Sequence, residues 1–248
     1  MELFGLSIPL VKPGDDLPRL LVMAAKDAGG LEKGDILVVS SKVVATAEGR
    51  MVELSKVKPS KKARLLGVET KLPPEFVEVV LNEADRVLGH VEGAILTVKS
   101  GVLSANAGAD QSNVPRGFAV LMPKDPDGSA EKIRRAVLKR LGAKVGVVIS
   151  DSSVKPLRLG TVGQAVGVAG FEPVVDCRGQ PDLYGRRLKI TFQAVADQLA
   201  TAVQLLMGEG AEKIPAVVVR GSGVKTVEKP KSSPKVPLKK DIYSKLFK

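Results

Sequence analysis

Three short segments carry carboxylates among small or polar neighbours. The first runs from Asn106 to Asn113 and reads Asn-Ala-Gly-Ala-Asp-Gln-Ser-Asn. Small residues around Asp110 let a bound group come close to the backbone. Asp110 can ligate a hard cation, and Asn113 can hydrogen-bond a base, sugar or phosphate. A turn alone also accounts for this composition. The second segment is Ser150-Asp151-Ser152-Ser153-Val154-Lys155-Pro156-Leu157-Arg158. Asp151 follows a run of buried-strand character, a frequent position for ligand sites in α/β sheets. Ser152 offers a hydroxyl to a metal shell, and Lys155 and Arg158 add positive charge. A structural cap or ion pair is the alternative. The third segment is Met207-Gly208-Glu209-Gly210-Ala211-Glu212. An acid at a helix C-terminus is unfavourable unless a cation offsets it, which favours the metal reading. Asp110, Asp151 and Glu209 thus supply three carboxylates from three separate loops. That is the inventory for one or two Mg2+ or Mn2+ ions bridging phosphates.

The composition of the 248-residue chain excludes other chemistries. It has one cysteine, Cys177, and one histidine, His90. No disulfide can form within it, no multi-cysteine zinc site can be built, and chemistry needing two histidines is ruled out for a single chain. His90 has no nucleophile motif beside it and reads as an ordinary loop or strand-end residue. Gly223-Val224-Lys225-Thr226 lacks the Gly-Lys pair of a Walker A loop, and Gly160, Gly163, Gly167 and Gly170 have the wrong spacing for a dinucleotide fingerprint. The apolar runs fall short of the roughly 20 residues of a membrane span. No basic segment precedes an apolar one at the N-terminus. A cytoplasmic protein is expected. Net charge is +11, of which +6 falls in residues 225–248. The modestly positive remainder suits anionic substrates. The basic tail reads as solvated or, alternatively, as a nucleic-acid contact. With 3% aromatics and no tryptophan, stacking platforms for nucleic acid are scarce.

The elements that must position the three segments are legible in outline. Asp16 caps a helix that Gly29-Gly30 stops near Ala28. Residues 35–40, 94–98, 118–122, 145–150 and 216–219 read as strands, with Ser41 and Lys42 at the end of the first. Residues 58–66, 73–88, 130–141 and 192–207 read as helices. Residues 160–170 read as a glycine-rich loop. After Gly223 the chain turns Lys-, Pro- and Ser-rich and reads as a loosely held tail. Strands and helices mix without strict alternation, so the class is α+β (mixed α/β).

Several motifs occur in a recognisable order. They are Ile8-Pro9-Leu10-Val11, Ala47-Glu48-Gly49-Arg50, the 106–113 segment, Asp125-Pro126-Asp127-Gly128-Ser129, residues 182–186, 206–210 and 214–221. From about residue 5 to residue 224 the chain resembles the coenzyme F420 gamma-glutamyl ligases. The resemblance implies a ligase that joins L-glutamate to coenzyme F420-0 by a gamma-linked amide through an acyl phosphate, with GTP yielding GDP and phosphate. It implies two Mg2+ or Mn2+ ions per subunit, K+ as a stimulant, and an intertwined homodimer. It implies a larger domain of residues 1–85 plus 190–224, a smaller inserted domain of 86–189, and the tail 225–248. Residue by residue, Asp110, Asp151, Ser152 and Glu209 match its metal ligands. Ile8, Pro9, Leu10, Val11, Ser41, Lys42, Asn113, Met207, Gly208 and Gly210 match positions that bind GTP. Two departures stand out. Thr46 replaces the usual Lys, and Ser152 to Arg158 replaces the usual Thr-x-Gly-Arg-Pro-x-Arg. The altered segment is the support for a related amide ligase with a different carboxylate acceptor.

Overall fold

The computed structural model describes residues 1–237, 240–243 and 245. Its strands are β1 (Glu2–Leu6), β2 (Ile36–Ser40), β3 (Met51–Glu53), β4 (Arg86–Val91), β5 (Ala94–Lys99), β6 (Val102–Ala105), β7 (Phe118–Val120), β8 (Gly146–Val154), β9 (Thr161–Ala169), β10 (Val175–Asp176), β11 (Phe192–Gln193) and β12 (Ala216–Arg220). Its α-helices are α1 (Leu17–Asp27), α2 (Ser41–Ala47), α3 (Lys61–Thr70), α4 (Pro74–Glu83), α5 (Pro126–Leu141) and α6 (Val195–Met207). The α+β class holds.

A five-stranded sheet in the order β1-β12-β2-β8-β9 forms the centre. Only β2 and β8 pair in parallel. Its inner strands are apolar on both faces because helices cover both. Leu37 and Val39 of β2 join Val147, Ile149 and Val218 against α1 and α5. Ile36 and Val38 alternate with them and join Val148, Val217 and Val219 against α6. A third core gathers α3, α4, Ile95 of β5 and Ala119 of β7. Residues of α5, β8 and β9 belong with the central sheet, because β8 hydrogen-bonds to β2 and α5 shares a face with α1.

Three local expectations are corrected. The helix read to Leu88 stops at Glu83, and residues 86–91 become β4 by pairing with β5. Tertiary pairing overrides the continuing apolar period. The helix read from Phe192 begins at Val195, because Phe192 and Gln193 pair with β10. The stretch read as a glycine loop is β9. A Cβ on Gly163 would lie 2.2 Å from the Ala200 carbonyl of α6, and one on Gly167 would lie 2.4 Å from the Pro126 carbonyl of α5. These glycines let helix backbones press onto both faces of the strand.

The tail read as loosely held is docked in its first part. Thr226 bridges Phe171, and Val227 donates to the Gly170 carbonyl at 2.7 Å. Glu172 accepts from the backbone of Lys231 and Ser232 and from the Ser232 hydroxyl, at 2.8, 2.9 and 2.7 Å. Part of the basic tail, residues 238, 239, 244 and 246–248, lies outside the described residues. Among the described residues no helix is long and apolar enough to cross a membrane.

Candidate functional site

Strand β2 ends, and its parallel pairing with β8 stops, where Ser40 lies opposite Ser150. That is where open α/β sheets place ligands. The chain turns from β2 directly into α2, so Ser41 and Lys42 stand at the sheet's end. Strand β8 continues past this point, carrying Asp151 and Ser152 within the strand rather than in the loop expected for them. The register against β9 shifts between Ile149 and Ser150, a bulge of the kind that re-aims side chains beside a site.

Alternation along β8 then sends neighbouring residues to opposite faces. Asp151 meets α2, where its Oδ1 accepts from Ser41 Oγ at 2.7 Å. Burial raises the Asp151 carboxyl above the usual range, opposed by the Ser41 hydrogen bond, and the Asp110 charge adds to the rise. Ser152 meets the loop after α6, where Oγ donates to Glu209 Oε1 and Oε2 at 2.8 and 3.0 Å.

Asp110 is positioned from the opposite side. Asn106 and Ala107 adopt left-handed backbone with φ of 52° and 53°. The turn is held because Asn106 Oδ1 accepts from Ile95 N and Thr97 Oγ1 accepts from Ala107 N, both at 2.9 Å. Gly108 is needed for close approach, since a Cβ there would meet Met122 at 2.4 Å. Asp110 then exchanges backbone hydrogen bonds with Val120. Its Oδ2 lies 2.6 Å from Lys42 Nζ, which also donates to the Ser112 hydroxyl and carbonyl. Burial alone would raise the Asp110 carboxyl. Hydrogen bonds from Lys42 and Ser112 outweigh it and hold the group below its ordinary value.

The third segment closes the arrangement. Helix α6 ends at Met207, and Gly208 follows with φ of 65°. A side chain at Gly208 would collide with the Glu212 carboxyl, which turns back to accept from Gly210 N at 2.8 Å. Asn113 Nδ2 donates to the Gly210 carbonyl at 3.0 Å, joining the first and third segments across 97 positions of chain. Glu209 Oε1 accepts from Thr161 Oγ1 at 2.8 Å and from Gln204 Nε2. Of the N-terminal residues, Ile8 and Val11 pack against the first core while Leu10 points outward. Thr46, at one of the departures, spends its hydroxyl on the Lys42 carbonyl of its own helix.

The structure thus joins Ser41 to Asp151, Lys42 to Asp110, Ser152 to Glu209 and Asn113 to Gly210. Among the described residues it gives Ile8 to Val11 and Met207 no polar link to them. Ser112, Thr161 and Gln204 are site neighbours that the sequence reading missed. Among the described residues no three His, Cys, Asp or Glu side chains converge on one point. The donors are nevertheless all oxygen, and one lysine balances the coupled carboxylates Asp110 and Asp151. This chemistry fits a hard divalent cation.

A family profile described as F420-0:Gamma-glutamyl ligase matches residues 5–221. The chain is 45% identical over 217 residues to the "Coenzyme F420:L-glutamate ligase" of Archaeoglobus fulgidus, covering 88% of this chain and 86% of that one. It is 44% identical to the protein of that name from Methanothermobacter thermautotrophicus, covering 86% of each. It is 40% identical to the Methanocaldococcus jannaschii protein of that name, covering 90% of this chain and 89% of the other.

Proposed function

Because the chain belongs to the F420-0:gamma-glutamyl ligase family, we propose that it attaches L-glutamate to coenzyme F420-0 through gamma-linked amide bonds, with GTP converted to GDP and phosphate. The observation that carries the reading is the family match over 5–221, within which all three carboxylate segments fall.

In this reading the terminal carboxylate of the acceptor attacks the γ-phosphorus of GTP and GDP leaves. The acyl phosphate is then attacked by the glutamate amine, which loses a proton as phosphate departs and the amide forms. Negative charge moves between oxygens in both steps, so fixed positive charge and oriented donors supply the catalysis. Asp110, Asp151, Ser152 and Glu209 would hold Mg2+ or Mn2+, two per subunit, whose chemistry is to neutralise the phosphates. Lys42 stands at the same end of the sheet and supplies a fixed positive charge. Ser41, Asn113 and the 207–210 loop contact the nucleotide, and Ile8 to Val11 form an apolar edge beside it. K+ acts as a stimulant.

A homodimer belongs to the same reading. Leu157, Leu159, Leu183, Tyr184 and Ile190 on the β8–β9 tip and the β10–β11 arm are each at least 85% exposed. Exposed apolar groups on each of these two loops offer surface to a partner.

The test is mass spectrometry of coenzyme F420-0 after incubation with the protein, GTP, L-glutamate and Mn2+, beside an Asp151→Ala variant. A product one or more glutamates heavier, absent with the variant, supports the reading. GTP and Mn2+ binding with no extended product would refute the named acceptor and leave a ligase of another carboxylate.

A further inference from the structure

Helix α6 carries a polar stripe on the face it turns to β9. Asp197, Thr201 and Gln204 recur at four- and three-residue steps, so they share one face. Each engages the strand. Asp197 Oδ1 accepts from Ala165 N at 2.9 Å. Thr201 Oγ1 donates to the Gly163 carbonyl at 2.9 Å. Gln204 Nε2 reaches Thr161 Oγ1 at 3.4 Å. The stripe sets the helix against the strand in one register, and Gly163 lets the two backbones close.

The last rung of this ladder does more than fasten the helix. Gln204 Nε2 also reaches Ser152 Oγ at 3.2 Å and donates to Glu209 Oε1. Thr161 Oγ1 donates to the same oxygen at 2.8 Å, and Ser152 Oγ donates to both. One carboxylate, on an exposed loop after a helix, is therefore gripped by donors from β8, β9 and α6. Without them Glu209 would sample rotamers freely in solvent, at an entropic cost to any ligand that orders it.

We propose that Thr161 and Gln204 are positioning residues of the ligase site, holding the Glu209 carboxylate beside Ser152 for a divalent cation. The inference rests on the reading of Asp110, Asp151, Ser152 and Glu209 as the metal-binding set. Neither Thr161 nor Gln204 belongs to that set. They act through Glu209, as outer partners of ligating carboxylates do.

The experiment is Mn2+ titration followed by electron paramagnetic resonance on the full chain, without nucleotide. Wild type, Thr161→Val, Thr161→Ser and Gln204→Leu are compared, each with a thermal melt. Loss of an outer partner of this kind costs about 10- to 100-fold in metal affinity. That loss is expected for Thr161→Val and Gln204→Leu at near-unchanged melting temperature, with Thr161→Ser restoring wild-type affinity. With turnover measured in parallel, the Mn2+ concentration for half-maximal rate should rise while the GTP KM stays near wild type. Wild-type affinity in both apolar variants would overturn the inference alone. A loss that only follows a fallen melting temperature, unrestored by serine, would assign both residues to stability and overturn it as well. A wild type that binds no Mn2+ would remove the metal reading, and this inference with it.

Discussion

Ser152 illustrates what one hydroxyl carries. It donates to both oxygens of Glu209 on one face of β8, while its neighbour Asp151 turns to Ser41 on the other. Ser152→Ala should lower glutamyl extension at least tenfold, while Ser152→Thr, which keeps the oxygen, should stay within about threefold of wild type. Equal rates for the alanine and threonine variants would show that the hydroxyl is dispensable. At this scale the sequence was informative where a residue is unusual for its surroundings. Asp151 follows a buried apolar run, Glu209 stands between two glycines, and Asn113 is one of three asparagines. Thr161 and Gln204 escaped notice because threonine in a strand and glutamine in a helix are ordinary. Only the pairing of β9 with β8 and the seating of α6 bring them to Glu209. The 197, 201, 204 spacing was the available signal, hidden by the stronger apolar period of the same helix.

Elements obeyed the sequence where burial on two faces forces continuous apolar runs, as in β2, β8 and β12. They departed from it where long-range contact decides. Helix α4 stops at Glu83, whose carboxylate accepts from Arg50 and Lys99, both at 2.9 Å, tying α4 to the α2–β3 turn and to β5. Burial would raise the Glu83 carboxyl, but Lys99 and Arg50 outweigh it and hold it below its ordinary value of 4.5. A carboxyl with a depressed folded-state pKa stabilises fully above its unfolded value, and that stability is lost as pH falls through the folded value. Glu83→Gln should therefore cost about 1–3 kcal/mol at pH 7. The gap from wild type should narrow as pH falls below 4.5. Parallel melting curves at neutral and acid pH measure this, and a gap that stays constant would contradict it. Strand β9 was misread because glycine usually weakens strands. Here Gly163 and Gly167 admit the backbones of α6 and α5. Alanine at either should destabilise by about 1–3 kcal/mol through overpacking. Gly163→Ala should also weaken Mn2+ binding, since it pushes α6 away from Thr161, whereas Gly167→Ala, on the α5 face, should not. Matching metal affinities in the two variants would separate the α6 contact from the site.

For the whole molecule, composition distinguished the basic C-terminal segment but could not show where it ceases to be free. Lysine, proline and serine favour a solvated chain. Yet residues 224–232 meet partners distant in sequence that no local pattern announces. Val224 packs against the second core, Thr226 bridges the fully buried Phe171, and Ser232 is held by Glu172. Among the described residues after Lys235 the hydrogen bonds stay local, from Lys240 N to the Pro237 carbonyl and from Tyr243 N to Asp241, so Lys235 is the natural point at which to divide the segment. A chain ending at Lys235 should melt within about 0.5 kcal/mol of the full protein, as surface changes do. A chain ending at Gly223 should lose about 2 kcal/mol, from partial exposure of Phe171 and the unpaired Glu172 carboxylate. For a chain of this size that is a fall in melting temperature of roughly 4–8 °C. Calorimetry on the three lengths decides the matter. Equal melting for the 223- and 235-residue chains would mean that the docked segment adds nothing to the fold. The same chains separate the roles of the charge. If the 235-residue chain keeps glutamyl extension while losing salt-dependent affinity for an oligonucleotide, the distal lysines bind anions independently of catalysis. If it loses extension with its fold intact, those lysines serve the ligase's anionic substrates.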